Sequence, residues 1–89
     1  METETHYFYV LECIDGTFYA GYTNNLTQRI KKHNAGKGAK YTRGRAPLTL
    51  IFHQIFASKS EAQKMEYRFK RLSRQKKIEW MNTQREEGR

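Results

Sequence analysis

The chain has 89 residues, enough for one domain and one hydrophobic core and too few for two. Hydrophobic residues make up 37% of it and aromatic residues 13%, spread along its length, which excludes a disordered basic tail. With 17 Lys and Arg against 9 Asp and Glu the net charge is +8, and such an excess on so small a surface points to a polyanionic partner, nucleic acid ahead of an anionic membrane.

No apolar run approaches the ~20 residues of a membrane-spanning helix. No basic helix carries the apolar face of an interfacial anchor either. Cys13 is the single cysteine, so no intrachain disulfide can form, and it reads as a small buried or half-buried strand residue. The opening METETHYF has no basic stretch followed by an apolar one, so no secretory signal is expected and a reducing cytoplasm is the expected location.

Residues 1–6 are expected to be a flexible N-terminus. Residues 7–14, YFYVLECI, are aromatic and β-branched and predict a strand. Asp15-Gly16 is a turn signal, and residues 17–22 predict the returning strand of a hairpin. Thr23, Asn24 and Asn25 offer caps for a helix in which Leu26, Ile30 and His33 recur at helical spacing and which Gly36 ends. A Gly-rich basic loop, GKGAKYTRGRAP, follows and closes at Pro47.

Residues 48–56, LTLIFHQIF, form a dense β-forming run without a breaker, which predicts a strand covered on both faces at the centre of the sheet. Ser58 and Glu61 make a capping box for a helix with Ala62, Met65, Phe69 and Leu72 as its apolar stripe. Ser73 caps a last helix carrying Ile78 and Met81, with an exposed Trp80 on another side. The expected fold is α+β: one β-β-α-β-α-α domain over residues 7–82, with a three-stranded antiparallel or mixed sheet flanked by helices. Residues 83–89 are expected to be a polar, frayed tail.

No GxxxxGK[ST], GxGxxG or GxSxG occurs, which removes the usual signatures of phosphate-loop NTPases, dinucleotide enzymes and α/β-hydrolases. The three His and one Cys lack zinc-finger spacing. Three groups of side chains remain.

Arg29 and His33 stand four residues apart on the first helix, so they share one side of it. The planar fork of Arg29 suits a phosphate and His33 exchanges a proton near neutral pH, although a solvated basic face, with Lys31 and Lys32 beside it, is the plain alternative. Glu66 borders the apolar stripe of its helix, where a carboxylate needs a partner: a divalent metal, or an ion pair with Arg68, Lys70 or Arg29.

Tyr9 and Tyr19 lie on the hairpin, and both could be ordinary core aromatics. Register decides whether they share a face. A two-residue loop at Asp15-Gly16 would put Tyr19 opposite Glu12, with Tyr9 on the other face. A three-residue loop at Ile14-Asp15-Gly16, with Gly16 left-handed, would put Tyr19 opposite Leu11 and diagonal to Tyr9.

Taken in order, these residues resemble the GIY-YIG nuclease superfamily. Tyr7-Phe8-Tyr9 stands where Gly-Ile-Tyr is expected, and Tyr19-Ala20-Gly21 where Tyr-Ile-Gly is expected. Arg29, His33 and Glu66 occupy the matching helix positions. GKGAKYTRG and the E-Y-R-x-K-x-L segment from Glu66 to Leu72 are similar to the small stand-alone bacterial branch, whose fold is like the amino-terminal domain of a bacterial excinuclease. The likeness spans residues 7–81. Tyr7 and Phe8 depart from the motif in a way that bears on packing rather than chemistry.

The resemblance implies hydrolysis of a phosphodiester in DNA, with RNA as an open alternative, in repair or processing. It implies catalytic roles for Tyr9, Tyr19, Arg29, His33 and Glu66, with one divalent ion, Mg2+ or Mn2+, on Glu66. Tyr19 would position or deprotonate the attacking water; its phenol, ordinarily at a pKa of ~10, needs positive charge nearby for that. Arg29 would brace the phosphate, His33 would orient the nucleophile or relay its proton, and Tyr9 would hydrogen-bond within the site. Lys32 on the helix and Lys37, Lys40, Arg43 and Arg45 in the loop would grip flanking phosphates. A monomer is the favoured state. The competing readings are a non-catalytic nucleic-acid binder of the same fold and a small adaptor docking through the Trp80 helix.

Overall fold

Alternation along the first strand sets the layout of this molecule, a computed structural model that describes residues 5–87. Strand β1 (His6–Glu12) turns Phe8 and Val10 to one side and Tyr9 and Leu11 to the other, and all four are fully buried. A strand with no solvent face has to be central, and β1 is: β2 (Phe18–Thr23) and β3 (Thr49–Phe56) flank it in the order β2-β1-β3, both antiparallel. The expectation that residues 48–56 form the central strand is overturned. β3 is an edge strand with Thr49, His53 and Ile55 exposed, because its polar residues could not be satisfied under two covering layers. A bulge at Ile51, opposite the Val10–Leu11 step, bends it further.

The hairpin takes the longer of the two turns considered. Cys13 and Thr17 close it through Cys13 N–H donating to the Thr17 carbonyl at 2.8 Å, and Gly16, at φ +83°, supplies the left-handed residue of a three-residue loop. Tyr19 accordingly pairs with Leu11. Asp15 accepts from the Thr17 hydroxyl at 2.6 Å, which with the Thr17 backbone N–H and Arg45 holds its carboxyl below the ordinary value.

Helix α1 (Leu26–Asn34) starts at Asn25, whose side chain accepts from Gln28 N–H, and ends at Gly36 and Lys37, whose N–H groups return to the His33 and Lys32 carbonyls. Leu26 and Ile30 pack it on the Tyr9 and Leu11 face. A 3-10 turn (Lys40–Thr42) follows in the loop. Helix α2 (Lys59–Lys70) is capped by Ser58 accepting from Glu61 N–H, and α3 (Arg74–Glu87) by Ser73 accepting from Lys76 N–H. Together they cover the Phe8 and Val10 face with Ala62, Met65, Phe69, Leu72 and Met81.

Two sequence expectations fail here. Trp80 is not an exposed docking residue: its ring packs edge-on against Phe8, Phe52 and Phe69, with centroids 6.0, 5.1 and 5.9 Å away. Residues 83–87 are helix rather than tail. Arg85 donates to the Ile51 carbonyl freed at the bulge and lies 5.9 Å over the Phe52 ring, so the last turn of α3 is fastened to the edge of β3. The flexible N-terminus expected for residues 1–6 falls mainly on 1–4, outside the described residues, while His6 already pairs with Phe56. No described helix is long and apolar enough to cross a membrane.

Candidate active site

The three-residue turn puts Tyr9 and Tyr19 on the α1 face of the sheet, ring centroids 6.4 Å apart, and α1 brings Arg29 and His33 onto them. His33 is sealed from solvent: its ring lies 5.1 Å from Tyr19 and 6.0 Å from Tyr9, and its Nε2 is 2.9 Å from the Tyr9 hydroxyl. Its other nitrogen, Nδ1, is 2.8 Å from Oγ1 of buried Thr42. Burial, reinforced by nearby Arg29, pushes the His33 pKa down to about 4, so the ring is neutral at physiological pH. Burial pushes the Tyr9 phenol up to about 12, against the opposing pull of Arg29.

Arg29 is half-buried at the rim. It lies close enough to the two tyrosines that Tyr9 first, and Tyr19 after it, strengthens its hold on its proton. Tyr19 is only half-buried and stands on an edge strand, where the two layers meet. Tyr41 stacks on it from the loop side, 6.0 Å away at 25°, and Lys70 of α2 sits 5.9 Å from its ring centroid on the other side. A cleft of about 390 Å³ opens there, lined by Tyr19, Tyr41, Phe69, Lys70 and Lys77. A larger cleft of about 580 Å³ between β3 and the end of α3 touches none of the expected site residues.

Glu66 reaches this region from α2, close enough to influence Tyr9 electrostatically. Its side chain is 22% exposed and ion-paired with Lys70 Nζ at 2.6 Å, so of the partners considered for it Lys70 is the one found. Among the described residues no cluster of three or more His, Cys, Asp or Glu could cage a metal. A lone, partly open carboxylate is still a hard oxygen donor of the kind Mg2+ or Mn2+ accepts when waters and substrate phosphate complete the shell.

The expected phosphate-gripping cations divide. Lys32, Lys37, Lys40 and Arg43 are exposed, Lys32 sharing a small polar cleft with Asn25, Gln28 and Arg29. Arg45 departs from expectation: it pairs with Asp15 at 2.5 Å and lies 4.4 Å over the Tyr41 ring, so it ties loop to hairpin rather than standing free for a phosphate. Sequence reasoning does not single out Thr42 or Tyr41, and it names Lys70 only as one possible ion partner of Glu66. Lys70 had a signal, its i,i+4 spacing from Glu66. Thr42 had none, since its importance lies in a contact nine residues back.

The fold is thus a three-stranded antiparallel sheet with helices on both faces, and its α1 face gathers Tyr9, Tyr19, Arg29 and His33. The model of the GIY-YIG catalytic domain matches residues 5–79. A UPF0213 protein of Bacillus licheniformis is 56% identical over 88 residues, covering 99% of this chain and 91% of its own. One from Halobacterium salinarum is 58% identical over 72 residues, covering 81% and 94%. Among solved structures, the solution structure of the UPF0213 protein BH0048 from Bacillus halodurans aligns with TM-score 0.60 at 53% identity, over 89% of this chain and 84% of that one. That of the protein EF2693 from E. faecalis aligns with TM-score 0.65 at 48% identity, over 93% and 90%. The chain belongs to the GIY-YIG catalytic-domain family and, within it, to the small UPF0213 group.

Proposed function

We propose that the protein is a metal-dependent endonuclease acting on DNA, with RNA as the alternative substrate to be tested beside it. The observation that carries this reading is the gathering of Tyr9, Tyr19 and His33 on one face beside Arg29, with Tyr19 opening onto a cleft that Lys70 and Lys77 also line. In a phosphodiester hydrolysis, water attacks phosphorus and the bond to the leaving oxygen breaks, so negative charge grows on the phosphoryl oxygens. Arg29, whose planar donors lie beside the tyrosines, braces that charge. Tyr19, the open tyrosine, positions the water or, as a phenolate beside Arg29 and the ion, takes its proton. Tyr9, with its phenol at about 12, is a poor base and serves as a scaffold for Arg29. His33, neutral and sealed, holds Tyr9 rather than shuttling protons to solvent.

Glu66 would hold a divalent ion, which supplies charge neutralisation at the phosphate. Lys70 would leave the carboxylate when the ion binds. Lys32, Lys37, Lys40 and Arg43 grip flanking phosphates, giving affinity that falls with salt and is indifferent to sequence. The expected setting is the reducing cytoplasm, where buried Cys13 stays a thiol.

The test is incubation of labelled single-stranded, double-stranded and branched DNA, and of RNA, with Mg2+ or Mn2+, comparing wild type with Glu66→Gln and Arg29→Ala. Cleavage abolished by both substitutions supports the assignment. Cleavage that survives both removes the site from these residues, and salt-sensitive binding without cleavage on any substrate supports the non-catalytic binder.

A further inference from the structure

The loop between α1 and β3 carries a buried polar residue that the mechanism so far leaves idle. Thr42 is fully buried, and its hydroxyl has a partner on each side: it donates to the Ala39 carbonyl at 2.9 Å and lies 2.8 Å from His33 Nδ1. A carbonyl oxygen only accepts, so the one hydroxyl proton of Thr42 is committed to Ala39. Thr42 Oγ1 therefore meets Nδ1 with a lone pair, and Nδ1 must carry the ring proton.

A neutral imidazole has a single N–H, which leaves Nε2 bare. Nε2, 2.9 Å from the Tyr9 oxygen, then accepts the phenolic proton. Each bond leaves one direction for the next. The Tyr9 oxygen is left with only lone pairs to offer on its remaining side, which suits the nearby Arg29, a group that only donates. In the opposite tautomer, Nε2–H would donate to Tyr9 and turn the phenolic proton toward the guanidinium, donor against donor. Gly38 clamps the ring from the loop side: a Cβ there would lie 2.4 Å from Nδ1 and 2.8 Å from Cγ.

We infer that Thr42, acting through His33, is a positioning residue that fixes the direction of the Tyr9 hydroxyl and so holds Arg29 in its phosphate-facing pose. The inference rests on the reading of Arg29 as the phosphate brace, and it deepens that reading by making the basic loop part of the catalytic geometry. Thr42 ends the 3-10 turn that begins at Lys40 and is followed by Arg43, both exposed cations of the loop. A phosphate gripped there pulls on the same turn that sets the tautomer. Substrate contact in the loop and the aim of Arg29 are thus mechanically linked.

The experiment is long-range 1H–15N correlation on protein labelled with 15N-histidine, the three rings assigned with His6→Gln and His53→Gln. Wild type is expected to show His33 protonated on Nδ1 and bare on Nε2. Thr42→Val should lose that signature, and Thr42→Ser, which restores the hydroxyl, should keep it. Turnover at saturating labelled DNA should fall on the order of tenfold to a hundredfold in Thr42→Val, with KM changed by less than about threefold, and recover in Thr42→Ser. If Thr42→Val does not give a native-like amide spectrum, Gly38→Ala serves, since its Cβ displaces the same ring and should erase the same signature. An Nε2-protonated His33 in wild type would overturn the inference, as would unchanged tautomer and turnover in the folded variant. The tautomer is read on the free protein, so a wild type that cleaves nothing defeats the nuclease reading without deciding the relay.

Discussion

The two halves of the candidate site are built to different standards. On the α1 side, Tyr9, His33 and Thr42 are fully buried, and both ring nitrogens and both hydroxyls have a partner. On the α2 side, Glu66 and Lys70 form an ion pair with side chains 22% and 50% exposed, and Tyr19 stands beside them half-open. In the proposed reaction the first half would fix the aim of a phosphate-binding arginine, and the second would exchange one cation for another. A domain this small concentrates order where geometry matters and leaves exposure where ligands must enter.

The largest effects should come from removing the two charges proposed to act at the phosphate, Arg29 directly and Glu66 through the ion it would hold. Arg29→Ala and Glu66→Gln should each lower turnover by about 10²–10³-fold, with far-UV circular dichroism unchanged. Near-wild-type turnover in either would show that its half of the site is not engaged in chemistry.

The buried half should be sensitive to acid. Above pH 6.5 both folded and unfolded His33 are neutral and its contribution to stability is complete. As pH falls from 6.5 toward 4, the unfolded chain takes a proton that the native site refuses, and up to about 3 kcal/mol is lost. Urea denaturation across that window, compared with a His33→Gln protein, measures the difference; equal slopes in the two proteins would mean that the ring is not held neutral by the fold.

The open half should loosen when its internal cation is removed. Lys70→Met leaves Glu66 without its ion partner, so the Mg2+ or Mn2+ concentration for half-maximal cleavage should drop by several-fold, on the order of 1 kcal/mol, the range of an exposed pair. A rise instead would mean that Lys70 helps to hold the phosphate. The smallest effects belong to the loop. Lys37→Gln, Lys40→Gln and Arg43→Gln should each flatten the slope of log affinity against log salt by about 0.7–0.9, whereas Arg45→Gln should leave that slope alone and cost less than about 1 kcal/mol of stability.

Much of this was legible along the chain because it is local. The N-caps at Asn25, Ser58 and Ser73, the helix end at Gly36 and the stripe through Ala62 and Phe69 are set by residues within a turn of each other. The order of strands and helices, and the chain order of Tyr9, Tyr19, Arg29, His33 and Glu66 on which the sequence resemblance was drawn, are likewise one-dimensional.

What the tertiary structure decided is which residues share a neighbourhood. A run such as 48–56 reads the same whether it is central or at an edge, because hydrophobic density does not say how many layers will cover it; the second apolar face of β1 settled that. Trp80 found its place only once Phe8, Phe52 and Phe69 were gathered from three elements. The sequence could narrow the tyrosine pair to two registers, and the left-handed Gly16 chose between them. It could place Arg45 among the phosphate cations, but not see Asp15 across the hairpin taking that charge. Nor could it show that a threonine in a glycine-rich loop holds a buried histidine, since hydrogen-bond direction is a property of atoms already brought together.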